Sequence, residues 1–293
     1  MKVDYISINN TKIANSIRKY DQLAGVRGIV QTNARSSRRK IFSQFVITQD
    51  LSYLEMTAAD AVYSLYRQGV KKFTVRKVLL LMAADENISL PAFRRQRMDQ
   101  IIHKLSQMKI YIDCRQEASD TNKMQKRYEG IFLPVKAEGK GYVFLEDAQM
   151  PLYAYGEAKK QMITVPVRLL AYEPDEGKEK ESRLINSDEN ILLKVYLIHE
   201  LEIVRNKKNK VTEKTFRIKD PGDSGVLSAM EIERSSFSEE SYMNKIREVY
   251  RKTELLFGYW RRVGYLRDYR ADKETYSFYV SQDMLCHDPS KLF

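Results

Sequence analysis

Residues 98–114 read MDQIIHKLSQMKIYIDC, and the period of their apolar positions changes midway. Met98, Ile101, Leu105 and Met108 recur at helical spacing, which gives a helix one continuous apolar face. Ile110 and Ile112 then alternate with Tyr111 and Asp113, the period of a strand. A long helix therefore runs directly into an extended segment. Upstream, Ser52-Tyr53-Leu54-Glu55 is a capping box, and Leu54, Ala58, Ala61 and Leu65 follow at helical spacing up to Gly69, which is placed to end that helix. Lys72-Phe73-Thr74 is a brief extended piece, with Thr74 positioned to cap a second helix whose core face is Val75, Val78, Leu79 and Met82. Ser89 is placed to cap the third helix, with Pro91 tolerated in its first turn. A polar stretch, residues 115–127, leads to a second strand over residues 130–135.

The order returns in the second half. Ser187 is expected to cap a helix running through residues 191–198 to about Arg205, apolar on most faces and so central to a core. A strand-like segment at residues 214–218 and a short helix near residues 225–230 follow. Ser238 then caps a long helix that presents Tyr242, Ile246, Val249, Leu256 and Trp260 inward. Gly264-Tyr265-Leu266 and residues 276–280 are expected to form a hairpin around residues 271–274. Val263 to Asp268 parallels Met108 to Asp113, a short internal duplication. Three helices followed by a hairpin is the order of a winged helix, a variant of the helix-turn-helix. The expected fold is thus mainly α with small β-hairpins (α+β), with two winged-helix units in tandem. Residues 1–49 read as a basic N-terminal segment, with a strand-like stretch beginning at Ile41, residues 50–150 as the first unit, 151–186 as a linker with an exposed acidic stretch, and 187–293 as the second unit.

The chain has 293 residues, 43% hydrophobic and 30% charged, which is enough apolar material for two cores and excludes a disordered sequence. Its net charge of +11 favours polyanionic partners, because Lys and Arg that neutralise phosphates release condensed counterions. That charge is uneven: residues 1–150 hold 25 Lys and Arg against 15 Asp and Glu, and residues 151–293 hold 25 against 24. Cys114 and Cys286 are too few for a disulfide framework or a four-cysteine zinc site. No apolar segment follows Met1-Lys2, and the longest purely apolar run, residues 78–84, is too short to span a bilayer, so a cytoplasmic protein with no membrane partner is expected.

Catalytic signatures are missing from the sequence. His103, His199 and His287 are isolated, and there is no glycine-rich phosphate loop ending in Gly-Lys-Ser or Gly-Lys-Thr. Pro174-Asp175-Glu176-Gly177-Lys178 has the letters of a restriction-type nuclease motif. Its acids are adjacent in an acidic stretch, however, and not set on separate strand positions around a metal. We expect no catalytic residue, no metal and no cofactor.

The third helix of such a unit lies in the major groove of DNA, so its outward residues are candidate base readers. They are Arg94, Arg95, Arg97, Gln100 and Lys104 in the first unit, and Asn244, Lys245, Arg247, Arg251 and Lys252 in the second. Arg and Lys suit guanine O6 and N7, and Asn suits adenine. The expected wings supply Lys123, Lys126 and Arg127, and Arg267, Arg270 and Lys273, as phosphate contacts. Arg38, Arg39 and Lys40 lie in a segment with no helical face and are assigned to phosphates as well.

Over about residues 41–281 the chain resembles the tandem winged-helix plasmid replication initiators of Gram-positive bacteria. The likeness rests on this architecture and on three phrases: Leu54-Glu55-Met56 to Leu65-Tyr66, Ile101-Ile102-His103-Lys104-Leu105 before Ile110-Tyr111-Ile112-Asp113, and Glu189 to Tyr196 opening the second unit. The resemblance implies binding of double-stranded DNA at repeated origin sequences, with the first unit supporting a homodimer and backbone contacts and the second reading bases. The concentration of charge in the first half departs from that division. The alternatives are a transcriptional repressor or phage regulator on the same fold, and a non-enzymatic RNA- or protein-binding adaptor.

Overall fold

The structure, a computed structural model, describes residues 4–19, 27–33, 40–84, 91–118, 124–138, 142–146, 148–207, 210–218 and 225–292. It is an α+β fold of helices and small antiparallel sheets. The chain divides into two compact units, the first from the described residues of 6–81 and 89–164, the second from those of 2–5, 82–88 and 165–293. No helix among the described residues is long and apolar enough to cross a membrane.

The first unit opens with β1 (Tyr5–Asn9) and α1 (Lys12–Lys19), which bury Ile6, Ile8, Ile13, Ala14 and Ile17, and continues with β2 (Arg27–Asn33) and β3 (Lys40–Ile47). In α2 (Tyr53–Arg67) both bonds of the Ser52–Glu55 capping box are made, and Gly69 takes the left-handed conformation at φ +78° just past the helix end. β4 (Lys72–Thr74) leads into α3 (Val75–Ala83), where the Thr74 hydroxyl accepts from the Lys77 amide at 3.2 Å. α4 (Ala92–Gln107) buries Met98, Ile101, Ile102 and Leu105. Then come β5 (Lys109–Asp113), α5 (Arg115–Ala118), β6 (Arg127–Ile131), β7 (Val135–Glu138), β8 (Tyr142–Leu145), α6 (Pro151–Lys159) and β9 (Met162–Pro166).

Strand pairing in this unit differs from the expected hairpin. β5 and β6 do pair, but as one edge of a four-stranded sheet of order β2-β3-β5-β6. The strand between α2 and α3 joins a different hairpin, giving the order β4-β8-β7. A buried polar cluster anchors the N-terminal elements: Asp60, 1% exposed, accepts from Arg18 at 2.6 Å, Tyr153 at 3.0 Å and the Asn9 amide at 3.2 Å. An ion pair this deep holds only because every partner is present.

The second unit begins with α7 (Val167–Leu170) and α8 (Glu179–Ile185), followed by α9 (Ile191–Arg205), β10 (Glu213–Arg217), α10 (Val226–Ala229), α11 (Glu239–Arg262), β11 (Arg270–Asp272) and β12 (Ser277–Ser281). α9 is buried along almost its whole length, as its unbroken apolar run requires. Trp260 is fully buried, its indole N–H donating to the Leu169 carbonyl at 2.8 Å. Phe257 meets Phe216 and Phe278 edge-on at 5.7 and 5.2 Å. The sheet has the order β10-β12-β11.

Both units thus place a strand after a first helix and pair it with the last strand of a later hairpin. That is the strand pairing expected of a winged helix, with β7–β8 and β11–β12 in the place of its hairpins.

Several expectations are corrected. Residues 1–49 are more than a basic segment, since β1 and α1 supply buried apolar residues and Arg18. Residues 151–186 are folded and not a linker: α6 buries Leu152, Tyr153 and Tyr155, and α7 buries Leu169 and Leu170. Only about residues 173–178 form the exposed irregular stretch the acids suggested. The strand expected at Gly264 is a single bridge from Leu266 to Leu285, and the hairpin partner of β12 is β11. Ser89 lies outside the described residues, and Pro91 holds the cap position of α4. Asn190, not Ser187, holds that of α9, and its amide donates to Ser187 Oγ at 2.7 Å.

Candidate nucleic-acid interfaces

Each unit has one helix face that can meet a groove. On α4, the buried stripe of Met98, Ile101, Ile102 and Leu105 leaves Phe93, Gln96, Arg97, Gln100, His103 and Gln107 on the opposite side, all exposed. Arg94 and Arg95 flank the head of the helix, with Arg94 lying over the Phe93 ring at 5.5 Å. Lys104 departs from the expected role. Its ammonium sits 2.8 Å from both carboxylate oxygens of Glu55, so it ties α4 to the start of α2. In the sequence, Arg97, Gln100 and Lys104 read as outward polar residues of this helix. A full helical projection would also have found Phe93, Gln96, His103 and Gln107 on the same face.

On α11 the exposed row is Asn244, Arg247 and Arg251, with Arg247 donating to Asn244 Oδ1 at 3.0 Å. Two expected members are withdrawn from it. Lys252 is 2% exposed, and its ammonium is paired with Glu248 and, at 3.4 Å, with Glu189. Lys245 pairs with Glu189 and, at 3.1 Å, with Glu248. Burial works against the Glu189 carboxylate, but the two lysines outweigh it and hold its pKa below the ordinary value. This cluster fastens α11 to the turn before α9 and leaves the Asn244–Arg247–Arg251 row to face solvent.

The residues expected on the first wing do not lie on the β7–β8 hairpin. Arg127 is on β6 of the four-stranded sheet, Lys126 precedes it, both are exposed, and Lys123 is outside the described residues. On the hairpin itself, Lys136 of β7 is exposed and paired with Glu146. In the second unit Lys273 is exposed in the turn between β11 and β12, Arg267 is exposed ahead of β11, and Arg270 lies over the Tyr279 ring at 5.6 Å. Arg38 and Arg39 lie outside the described residues, and of Lys40 only the backbone, in β3, is described.

Among the described residues no group of three His, Cys, Asp or Glu is placed to hold a metal. Asp175, in the nuclease-like letters, is exposed and paired with Arg262. Burial pushes the Cys114 thiol up to about 12, far from a reactive thiolate. What these surfaces offer is recognition: guanidinium, amide and aromatic groups on rigid helices, backed by packed cores.

No protein-family model and no curated protein matches the chain. Among solved structures it is similar to the crystal structure of RctB domains 2-3, with 8% identity over 76% of each chain and a TM-score of 0.37. It is also similar to selenomethionine derivatives of RctB domains 2 and 3, with 12% identity over 78% of each chain and a TM-score of 0.33. Likeness at this level carries no assignment of function.

Proposed function

We propose that this chain binds double-stranded DNA sequence-specifically, with the outward faces of α4 and α11 entering major grooves. The supporting observation is positional. In both units the helix that precedes the later hairpin turns Arg together with Gln or Asn away from its apolar stripe. Gln and Asn pair in bidentate fashion with adenine, and Arg with guanine. Arg267 and Lys273 hold phosphates beside the second helix and set its register without reading sequence. Binding needs no metal, nucleotide or catalytic step, and the protein works in the cytoplasm. Its site is a set of iterated repeats at a replication origin, as in the initiators its sequence resembles.

The test is to select sites from a random duplex pool and footprint the protein on the DNA flanking its gene. Protection of tandem direct repeats supports an initiator. Protection of one palindrome at a promoter replaces that role with repression. No binding to any duplex at low salt overturns the DNA reading and leaves an adaptor.

A further inference from the structure

The outer face of the second unit's sheet has chemistry that duplex binding does not use. The strand register sets Thr215 and Arg270 on either side of Tyr279, and Arg217 and Asp272 on either side of Ser277. Directly opposed residues share a face of the sheet. The other face is the core, with Phe216, Phe278 and Val280 fully or almost fully buried. Arg217, Tyr279 and Arg270 therefore project together, away from the core. With Thr215 and with Thr275 of the wing turn they line a depression of about 620 Å3, a volume in the range of ordinary ligand sites.

The carboxylates of this face are already engaged. Asp272 accepts from the Glu274 and Thr275 amides at 2.9 and 3.2 Å and from the Thr275 hydroxyl at 2.7 Å, which shapes the wing turn. Glu213 accepts from the Tyr279 hydroxyl at 2.6 Å. Neither Arg217 nor Arg270 forms an ion pair among the described residues, and Arg270 stacks on Tyr279. The depression thus presents two guanidinium groups around one aromatic ring.

We infer that this depression binds an unpaired segment of single-stranded polynucleotide. A flat base stacks on the Tyr279–Arg270 pair, and Arg217 takes a flanking phosphate. A duplex does not suit it, because its bases are stacked inside and its phosphates stand on a convex rod. The inference is independent of α4 and α11, and it holds or falls apart from the duplex reading.

The test is fluorescence anisotropy with labelled (dT)12 over a range of salt, with (rU)12 and free thymidine monophosphate as separate arms. Wild type binds (dT)12 in a salt-dependent way. Tyr279→Ala weakens this about tenfold while Tyr279→Phe, which keeps the ring, does not. Arg217→Ala weakens it and flattens the salt dependence. Arg247→Ala leaves single-strand binding unchanged. Thermal melts of Tyr279→Ala and Arg217→Ala that match wild type establish that the sheet still forms. Comparable binding of (rU)12 means the site takes either polynucleotide, which upholds the inference. Thymidine monophosphate binding as tightly as (dT)12 overturns it in favour of a small-ligand site. Undiminished binding by Tyr279→Ala, or an equal loss in Arg247→Ala, overturns it outright.

Discussion

Lys104 Nζ lies 2.8 Å from both carboxylate oxygens of Glu55, and the same carboxylate accepts from the Ser52 amide to close the capping box of α2. One acid therefore finishes a helix start and holds a second helix in place. A lysine committed in this way is a poor phosphate ligand.

Lys104→Ala should lower stability by about 1 kcal/mol, in the range of a partly buried ion pair. Glu55→Ala should cost more, about 1–2 kcal/mol, because it removes the cap bond as well. Urea denaturation reads both. The salt slope of DNA binding should be the same in Lys104→Ala as in wild type, and a slope reduced by about one unit would show that Lys104 contacts the DNA after all.

Asn244, Arg247 and Arg251 form an exposed row on α11, whereas Lys245 and Lys252 are drawn to Glu189 and Glu248. Arg247→Ala or Arg251→Ala should weaken binding to a selected duplex about tenfold or more and to a scrambled duplex much less. Lys252→Ala should instead act on the fold, at a cost of about 1–3 kcal/mol, since it leaves two carboxylates short of a buried partner. Competition binding and denaturant melts separate the two effects. Equal losses on both duplexes in the arginine variants would move base reading to α4.

A pH effect follows from Glu200 on α9, which pairs with Lys214 of β10 at 2.6 Å. Burial alone would raise its carboxyl, but His199 and Lys214 reverse this and hold it down to about 2, against an ordinary value of 4.5. A depressed folded-state value means that its contribution is complete above about pH 4.5 and is lost as pH falls towards 2. That loss is on the order of 2 kcal/mol after allowance for solvent screening. The fall in urea stability between pH 6 and pH 3 should be smaller in Glu200→Gln than in wild type. Parallel falls would show that Glu200 is not the titrating group.

Local signals in the sequence were sufficient where the structure is local. Ser52, Glu55, Gly69, Thr74 and Ser238 all cap or end helices as their positions imply. Pairing across distance was not legible. β4 joins β8 about seventy residues later, which no periodicity encodes, whereas the sequence signals only the nearer β5–β6 pair. Residues 151–186 read as a linker because of one acidic stretch, yet their Leu152, Tyr153 and Tyr155 pack inward. In the candidate site, residue type outweighed position. Lys252 stands three residues after Val249 and four before Leu256, on the apolar stripe itself, and so is buried. Phe93, four residues before Arg97 and seven before Gln100, shares their face but was passed over as apolar.

Phe93 gives the sharpest test of α4. It is 65% exposed at the head of the helix, with Arg94 over its ring. A single exposed aromatic is ordinary in itself. Its alignment with Arg97 and Gln100 is what gives it a role, because the first turns of a recognition helix are the ones that meet base edges. The apolar feature of the major groove is the C5-methyl group of thymine, and Phe is among the side chains that contact it. Phe93→Ala should therefore weaken binding to a selected duplex about five- to tenfold. Replacing thymine by deoxyuridine throughout that duplex removes only the methyl groups. It should weaken wild type by a similar factor and leave Phe93→Ala almost unaffected, so that the two losses do not add. Binding titrations of both proteins on both duplexes complete the cycle. If Phe93→Ala responds to deoxyuridine as strongly as wild type does, the ring is not on a thymine methyl, and the specificity of α4 rests on Gln96, Arg97 and Gln100 alone.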